Sequence, residues 1–185
     1  MKLNRFVVIG GLFGAVVFGQ DPASVNQRKE NQQDRVANGI QSGQLTAGET
    51  KGLEGREANL NREIRDDRQA DGGKLTAGEK QQVNRQQNNL SNKIYQDKHN
   101  ASTAHYGNNL VGQRRENQQD RIAQGVRNGS LKAGQTARLE NREQGINQGV
   151  SADRQANGGK LTGAEKQQIN RAQNGASRQV YRAKH

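Results

Sequence analysis

The 185-residue chain contains no cysteine, which excludes disulfides and thiolate metal sites. Tryptophan is absent too, and the aromatic residues are three Phe and three Tyr. All three Phe (Phe6, Phe13 and Phe18) fall near the N-terminus. Leu, Ile, Val and Phe together supply 32 of the 185 residues, a composition close to that of chains that stay unfolded. Any core must therefore be thin, and each large apolar residue in the repeats described below is expected to be used. No stretch alternates apolar and polar residues, which argues against strands. Catalytic signatures are missing as well: neither G-x-S-x-G nor H-E-x-x-H occurs, and the three His lie near helix ends or in a linker. The chain therefore reads as non-enzymatic.

Only one long hydrophobic run is present. Phe6 to Phe18 follows Lys2 and Arg5 and precedes Gly19, the pattern of a secretory signal peptide cleaved before Gln20 or Asp21. The run is shorter than the roughly 20 residues a membrane span needs. An uncleaved N-terminal anchor is the alternative. Residues 1–19 are thus read as a signal peptide and the mature protein as periplasmic or extracellular, without a membrane span. With 29 Lys and Arg against 18 Asp and Glu, the net charge is +11. Such a balance favours polyanions such as lipopolysaccharide, anionic lipid, acidic polysaccharide or nucleic acid, and the expected partner is a protein or a polyanionic envelope component. The cations are interspersed with acids, however, as on a solvated helix face.

After a polar lead-in (20–27), residues 28–99 align without a gap to residues 114–185 at an offset of 86, with 40 of 72 positions identical. Residues 100–113 form the linker between these tandem copies. Each copy holds a shorter period. Leu45, Glu49, Leu53, Leu60 and Ile64 recur as Leu75, Glu79, Val83, Leu90 and Ile94. That spacing keeps one helical face apolar. The expected fold is all-α, with two tandem three-helix units. Helices are expected at 28–40, 47–70 and 77–98, then at 114–126, 133–156 and 163–184. Thr46 with Glu49, Thr76 with Glu79, and Thr162 with Glu165 fit capping boxes, each preceded by a Leu placed as a hydrophobic staple. Gly39, Gly43, Gly72 and Gly73 are expected at positive φ where helices end. A core this thin favours packing of the two units on each other, or a homodimer.

The four linkers between helices share Gly-x-Leu-Thr-x-x-Glu or a variant of it. They resemble EF-hand loops, in which oxygens at positions 1, 3, 5, 7, 9 and 12 hold Ca2+ around a central glycine. Loop two offers Asp67, Gln69, Asp71 and Glu79. Loop four offers Asp153, Gln155, Asn157 and Glu165. Both contain one residue more than the family's loop. Loop one has Ile40 at a ligand position, and loop three ends in Gln135. The resemblance implies EF-hand-like helix-loop-helix hairpins with candidate Ca2+ sites at loops two and four. The residues alone equally allow a glycine turn followed by a capping box. Leu75-Thr76-Ala77-Gly78-Glu79 also resembles the Leu-Thr-x-x-Gln motif of Spy/CpxP-type periplasmic chaperones, which implies a helical binder of unfolded clients. Finally, Tyr95 with His99 and Tyr181 with His185 lie one turn apart. They read as copper or zinc ligands, with His105 as a third, or as aromatic packing on the core.

Overall fold

The computed structural model describes residues 22–185, so the signal-peptide reading of residues 1–19 lies outside it. Among the described residues there are six helices and no strand. They are α1 (Pro22–Gln41), α2 (Ala47–Ala70), α3 (Ala77–Lys98), α4 (Leu110–Arg127), α5 (Ala133–Ala156) and α6 (Gly163–Lys184). None is long and apolar enough to cross a membrane. Helices α2, α3, α5 and α6 match the expected ranges. Helices α1 and α4 begin earlier, so most of the lead-in and the end of the linker are helical. Proline suits the first turn of α1 because the first helical N–H groups have no intrahelical partner. Asn109 caps α4 by accepting from the Gly112 N–H at 3.0 Å.

The three Thr–Glu capping boxes form. In each, the Glu carboxylate accepts the Thr N–H, and the Thr hydroxyl accepts the Glu N–H. At α5 the chain has Lys132 and Gln135 instead, and Gln135 Oε1 accepts the Lys132 N–H at 2.9 Å. Gly43, Gly72 and Gly73 have positive φ as expected, but Gly39 does not. Gly39 lies inside α1, and a Cβ there would meet Leu45 at 2.6 Å. Its role is to let the staple leucine seat against the helix, and Gly125 plays the same part for Leu131.

The thin core is shared between the units. Val36, Ala37, Ile40, Leu45, Leu53, Leu90 and Ile94 of the first unit join Ile122, Ala123, Val126, Leu131, Leu139 and Val180 of the second. Helix α2 lies antiparallel along α5: Gly48 sits against Gln144, and Gly134 against Ala58. Those two pairs exchange under the 86-residue offset, so the units are related by a pseudo-two-fold axis. Lys51 Nζ crosses the seam to Asn141 and Gln144, 3.1 Å from each. The units thus share this main cluster, while Val25, Leu60, Ile64, Leu75 and Val83 form a second one within the first unit.

Polar side chains replace the missing apolar ones between α1 and α3 and between α4 and α6. Gln32 donates to the Gln87 carbonyl at 2.7 Å, and Gln118 donates to that of Gln173 at 2.7 Å. Gln87 and Gln173 in turn donate to Val25 and Val111 carbonyls. Arg35 and Arg121 each grip the hydroxyl and carbonyl of Ser91 and Ser177. Each of these glutamine amides thus pairs its nitrogen with backbone, while the Oε1 atoms of Gln32, Gln87, Gln118 and Gln173 are buried without a partner, so desolvation is only half offset.

Candidate functional site

Three places gather chemistry: loops two and four, the α2–α5 seam, and a pair of grooves beside that seam.

In loop two, Asp67 and Gln69 belong to the last turn of α2. Residues two apart on a helix point to opposite sides, whereas residues four apart share a face. Asp67 therefore faces with Asp71, and Gln69 does not. A hydrogen bond to Glu79, and then its charge, raise the Asp71 carboxyl above its ordinary value. Desolvation and the charges of Glu79, Glu63 and Asp66 raise Asp67. Glu79 itself is lowered, chiefly by the Thr76 N–H. Loop four repeats the arrangement with one change. Asn157 donates to Glu165 Oε1 at 2.8 Å, so an amide stands where Asp71 stood. Glu165 is lowered by its Thr162 cap. Asp153 and Gln155 lie on α5, and Gln155 diverges from Asp153 as Gln69 does from Asp67. Among the described residues, no group of three or more His, Asp or Glu is drawn closely enough together to hold a metal ion.

The Tyr–His pairs do not pack on the core. Tyr95 and Tyr181 are each 59% exposed. Each ring stacks on the following His, at 4.1 and 4.4 Å. His99 Nδ1 lies 2.7 Å from the Tyr95 carbonyl oxygen, and His185 Nδ1 lies 2.9 Å from that of Tyr181. The imidazoles therefore cap the carbonyl ends of α3 and α6. His105 instead meets Thr103 in the linker.

The seam holds what sequence reasoning missed. Glu54, Glu57, Glu140 and Glu143 are all buried, at 0–2% exposure. Burial, then the Glu57 charge, raises Glu54 to about 8. Burial raises Glu140 to about 8 despite a hydrogen bond from Gln119. Glu143 is raised to about 7, and Glu57 is raised too, in both cases by burial. Neither oxygen of Glu54 accepts a hydrogen bond of good geometry, and nearby Gln33 gives only partial relief. Lys29 moderates Glu54 and Glu57, and its counterpart Arg115 moderates Glu143. At neutral pH Glu54 and Glu140 are held largely as neutral carboxyls. A signal existed in the sequence: Leu-Glu-x-Arg-Glu stands at 53–57 and again at 139–143. Glu57 and Glu143 fall within the apolar stripe itself.

Two equivalent grooves flank the seam. One is walled by Ala47, Gly48, Gln119 and Asn147, and the linker residues Thr103 to Tyr106 lie in it. The other is walled by their counterparts Ala133, Gly134, Gln33 and Asn61, and no part of the described chain lies in it. The first retains about 420 Å³. The second offers about 780 Å³.

No family model, curated protein or solved structure matches this chain. The internal duplication is then the most informative comparison, because each feature of one unit can be set against its twin. By that measure loop four is loop two with one carboxylate replaced. Among the described residues, the second groove repeats the walls of the first without the strand.

Proposed function

We propose that the protein is a non-enzymatic interaction module of the cell envelope, in which a duplicated EF-hand-like helical scaffold presents a groove to a partner. The inequality of the two grooves carries this reading. Among the described residues, the walls that hold Thr103 to Tyr106 on one side hold no strand on the other. The N-terminal Lys2–Phe18 pattern supports work outside the cytoplasm. Of the buried carboxyls, Glu54, Glu140 and Glu143 line none of the cavities described, and Glu57 borders a small one of about 230 Å³. The test places a photo-crosslinking residue at Glu30, an exposed groove position, and in a control at Arg178 on α6. In cells that produce the protein, position 30 should yield an adduct of discrete mass and position 178 should not. Equal smears from both, or no adduct from either, would remove the groove as the working surface.

A second reading is Ca2+ binding, favoured by the mutual repulsion of Asp67, Asp71 and Glu79, which a hard cation would relieve. It fits loop two rather than loop four, where Asn157 already donates to Glu165. The expected outcome is a rise in Tm at about 5 mM Ca2+. Glu79→Gln should abolish that rise, and Glu165→Gln should leave it intact. An unchanged Tm at that concentration defeats this reading.

A further inference from the structure

We propose that Arg115, Ser151 and Arg154 form a binding site for a phosphate group, in the notch where the linker passes between α4 and α5. The site goes beyond the groove reading and does not depend on it.

Three elements meet in the notch. His105 comes from the linker, Arg115 from α4, and Asn147, Ser151 and Arg154 from α5; together they line a cavity of about 490 Å³. Residues 147, 151 and 154 are four and three apart, so they share one face of α5. No Asp or Glu lines this cavity, nor the linker groove that adjoins it. Helix α1 begins far away. Val25 lies beside Ile64 and Arg68, and α2 runs antiparallel to α5. By helical rise that end of the seam is roughly 40 Å from Arg154.

The donors of the notch are uncommitted. Among the described residues the only ion pairs are Arg65–Asp66 and Lys93–Asp97. Neither Arg115 nor Arg154 therefore has a carboxylate within ion-pair distance there. The Arg115 guanidinium lies 5.3 Å from the centre of the Tyr106 ring. That contact holds a cation over an aromatic face without using its N–H groups. Its Nε is buried and has no hydrogen-bond partner among the described residues. Desolvation holds Arg115 below its ordinary value, Tyr106 and Glu143 act against this, and the charge of Arg154 adds to it. Two guanidiniums thus stand near enough to repel each other. An anion between them relieves the repulsion and supplies the missing acceptor.

The first unit builds the same frame around an acid. Lys29 and Arg68 occupy the positions of Arg115 and Arg154, and Glu57 borders their cavity. Arg65 stands where the second unit has Ser151, and it pairs with Asp66 at 3.1 Å; the counterpart of Asp66 is Ala152. Arg115 does moderate Glu143, the counterpart of Glu57. Glu143 is buried in the seam, however, and borders neither cavity at the notch. It does not compete with an entering anion. The second unit keeps the cations and exposes them without the acids.

The donor set selects the ligand. A guanidinium is a planar fork matched to carboxylate and phosphate oxygens. One fork satisfies a carboxylate. Two forks and a hydroxyl suit a phosphate monoester, which carries three strong acceptor oxygens.

The test is an NMR titration of the isotope-labelled chain, from Gln20 onward, with inorganic phosphate at constant ionic strength. The Nε–H signals of Arg115 and Arg154 should shift saturably, and that of Arg178 on α6 should not. Arg154 makes no side-chain hydrogen bond, so Arg154→Gln should keep the helical circular dichroism. It should weaken phosphate binding about five- to tenfold, and Ser151→Ala should weaken it less. Phosphatidylcholine vesicles containing phosphatidic acid identify the source. Cosedimentation that Arg154→Gln abolishes assigns a lipid headgroup, and phosphate binding without cosedimentation assigns a soluble phosphate. Four results overturn the proposal: no saturable shift, an equal shift at Arg178, unchanged affinity in Arg154→Gln, or acetate bound as tightly as phosphate.

Discussion

Glutamate has two opposite fates in this molecule. At the α2–α5 seam, Glu54, Glu57, Glu140 and Glu143 are buried and their carboxyls are pushed up. At the starts of α3 and α6, Glu79 and Glu165 are held down by the N–H groups they cap. The residue is the same, and the surroundings decide. A helix N-terminus offers unpaired donors and a positive dipole end, so it favours the carboxylate. The seam offers low-dielectric contact between two helices, so it favours the neutral acid. Acidic residues in a chain of this composition cannot be read as one class of surface charge.

The largest expected effect is on stability against pH. Unfolded glutamates ionise near 4.5, whereas the fold keeps Glu54 and Glu140 protonated up to about 8 and Glu143 up to about 7. Between those limits the folded state binds more protons than the unfolded one. Stability is therefore greatest near and below pH 4.5 and is lost as pH rises through 7–8. Tm should fall by about 10 °C from pH 5 to pH 8.5. Glu54→Gln with Glu140→Gln stays neutral throughout. It should flatten the profile and leave the variant more stable than the parent at the alkaline end. A parent profile already flat across this range would dissolve the contrast between seam and helix starts.

The helix boundaries were readable because they rest on local rules. Thr76 with Glu79 and Leu75 before them mark a helix start without reference to anything distant, and α3 begins at Ala77 as expected. Duplication was readable from alignment alone. The seam was not, because burial of Glu54 depends on a helix from the other unit whose approach no local pattern encodes. Gly39 was misread for a related reason. Its position suggested a helix end, yet its missing Cβ makes room for Leu45. In loop two the spacing Asp67-x-Gln69-x-Asp71 looked like a ligand series. That series presumes an extended loop, and α2 continues through Ala70, turning Gln69 away. The grooves required the linker's path, which a polar Asn/Ser/Gly segment does not announce.

Smaller effects probe the other half of the contrast. Thr76→Ala with Thr162→Ala removes the hydroxyls that accept the Glu79 and Glu165 N–H groups. Each loss should cost about 1 kcal/mol, with the same pH profile as the parent, since the seam is untouched. Glu79→Gln should do less still. Gln135 already caps α5 through its amide oxygen, 2.9 Å from the Lys132 N–H, so a glutamine at the start of α3 can make the same bond. The change also relieves Asp67 and Asp71 of a neighbouring charge, offsetting the lost attraction to the helix dipole. Without Ca2+, Tm should therefore move by less than about 2 °C, as measured by thermal denaturation at pH 7. A drop comparable to that of the Thr variants would mean that the Glu79 charge, not its hydrogen bond, starts the helix.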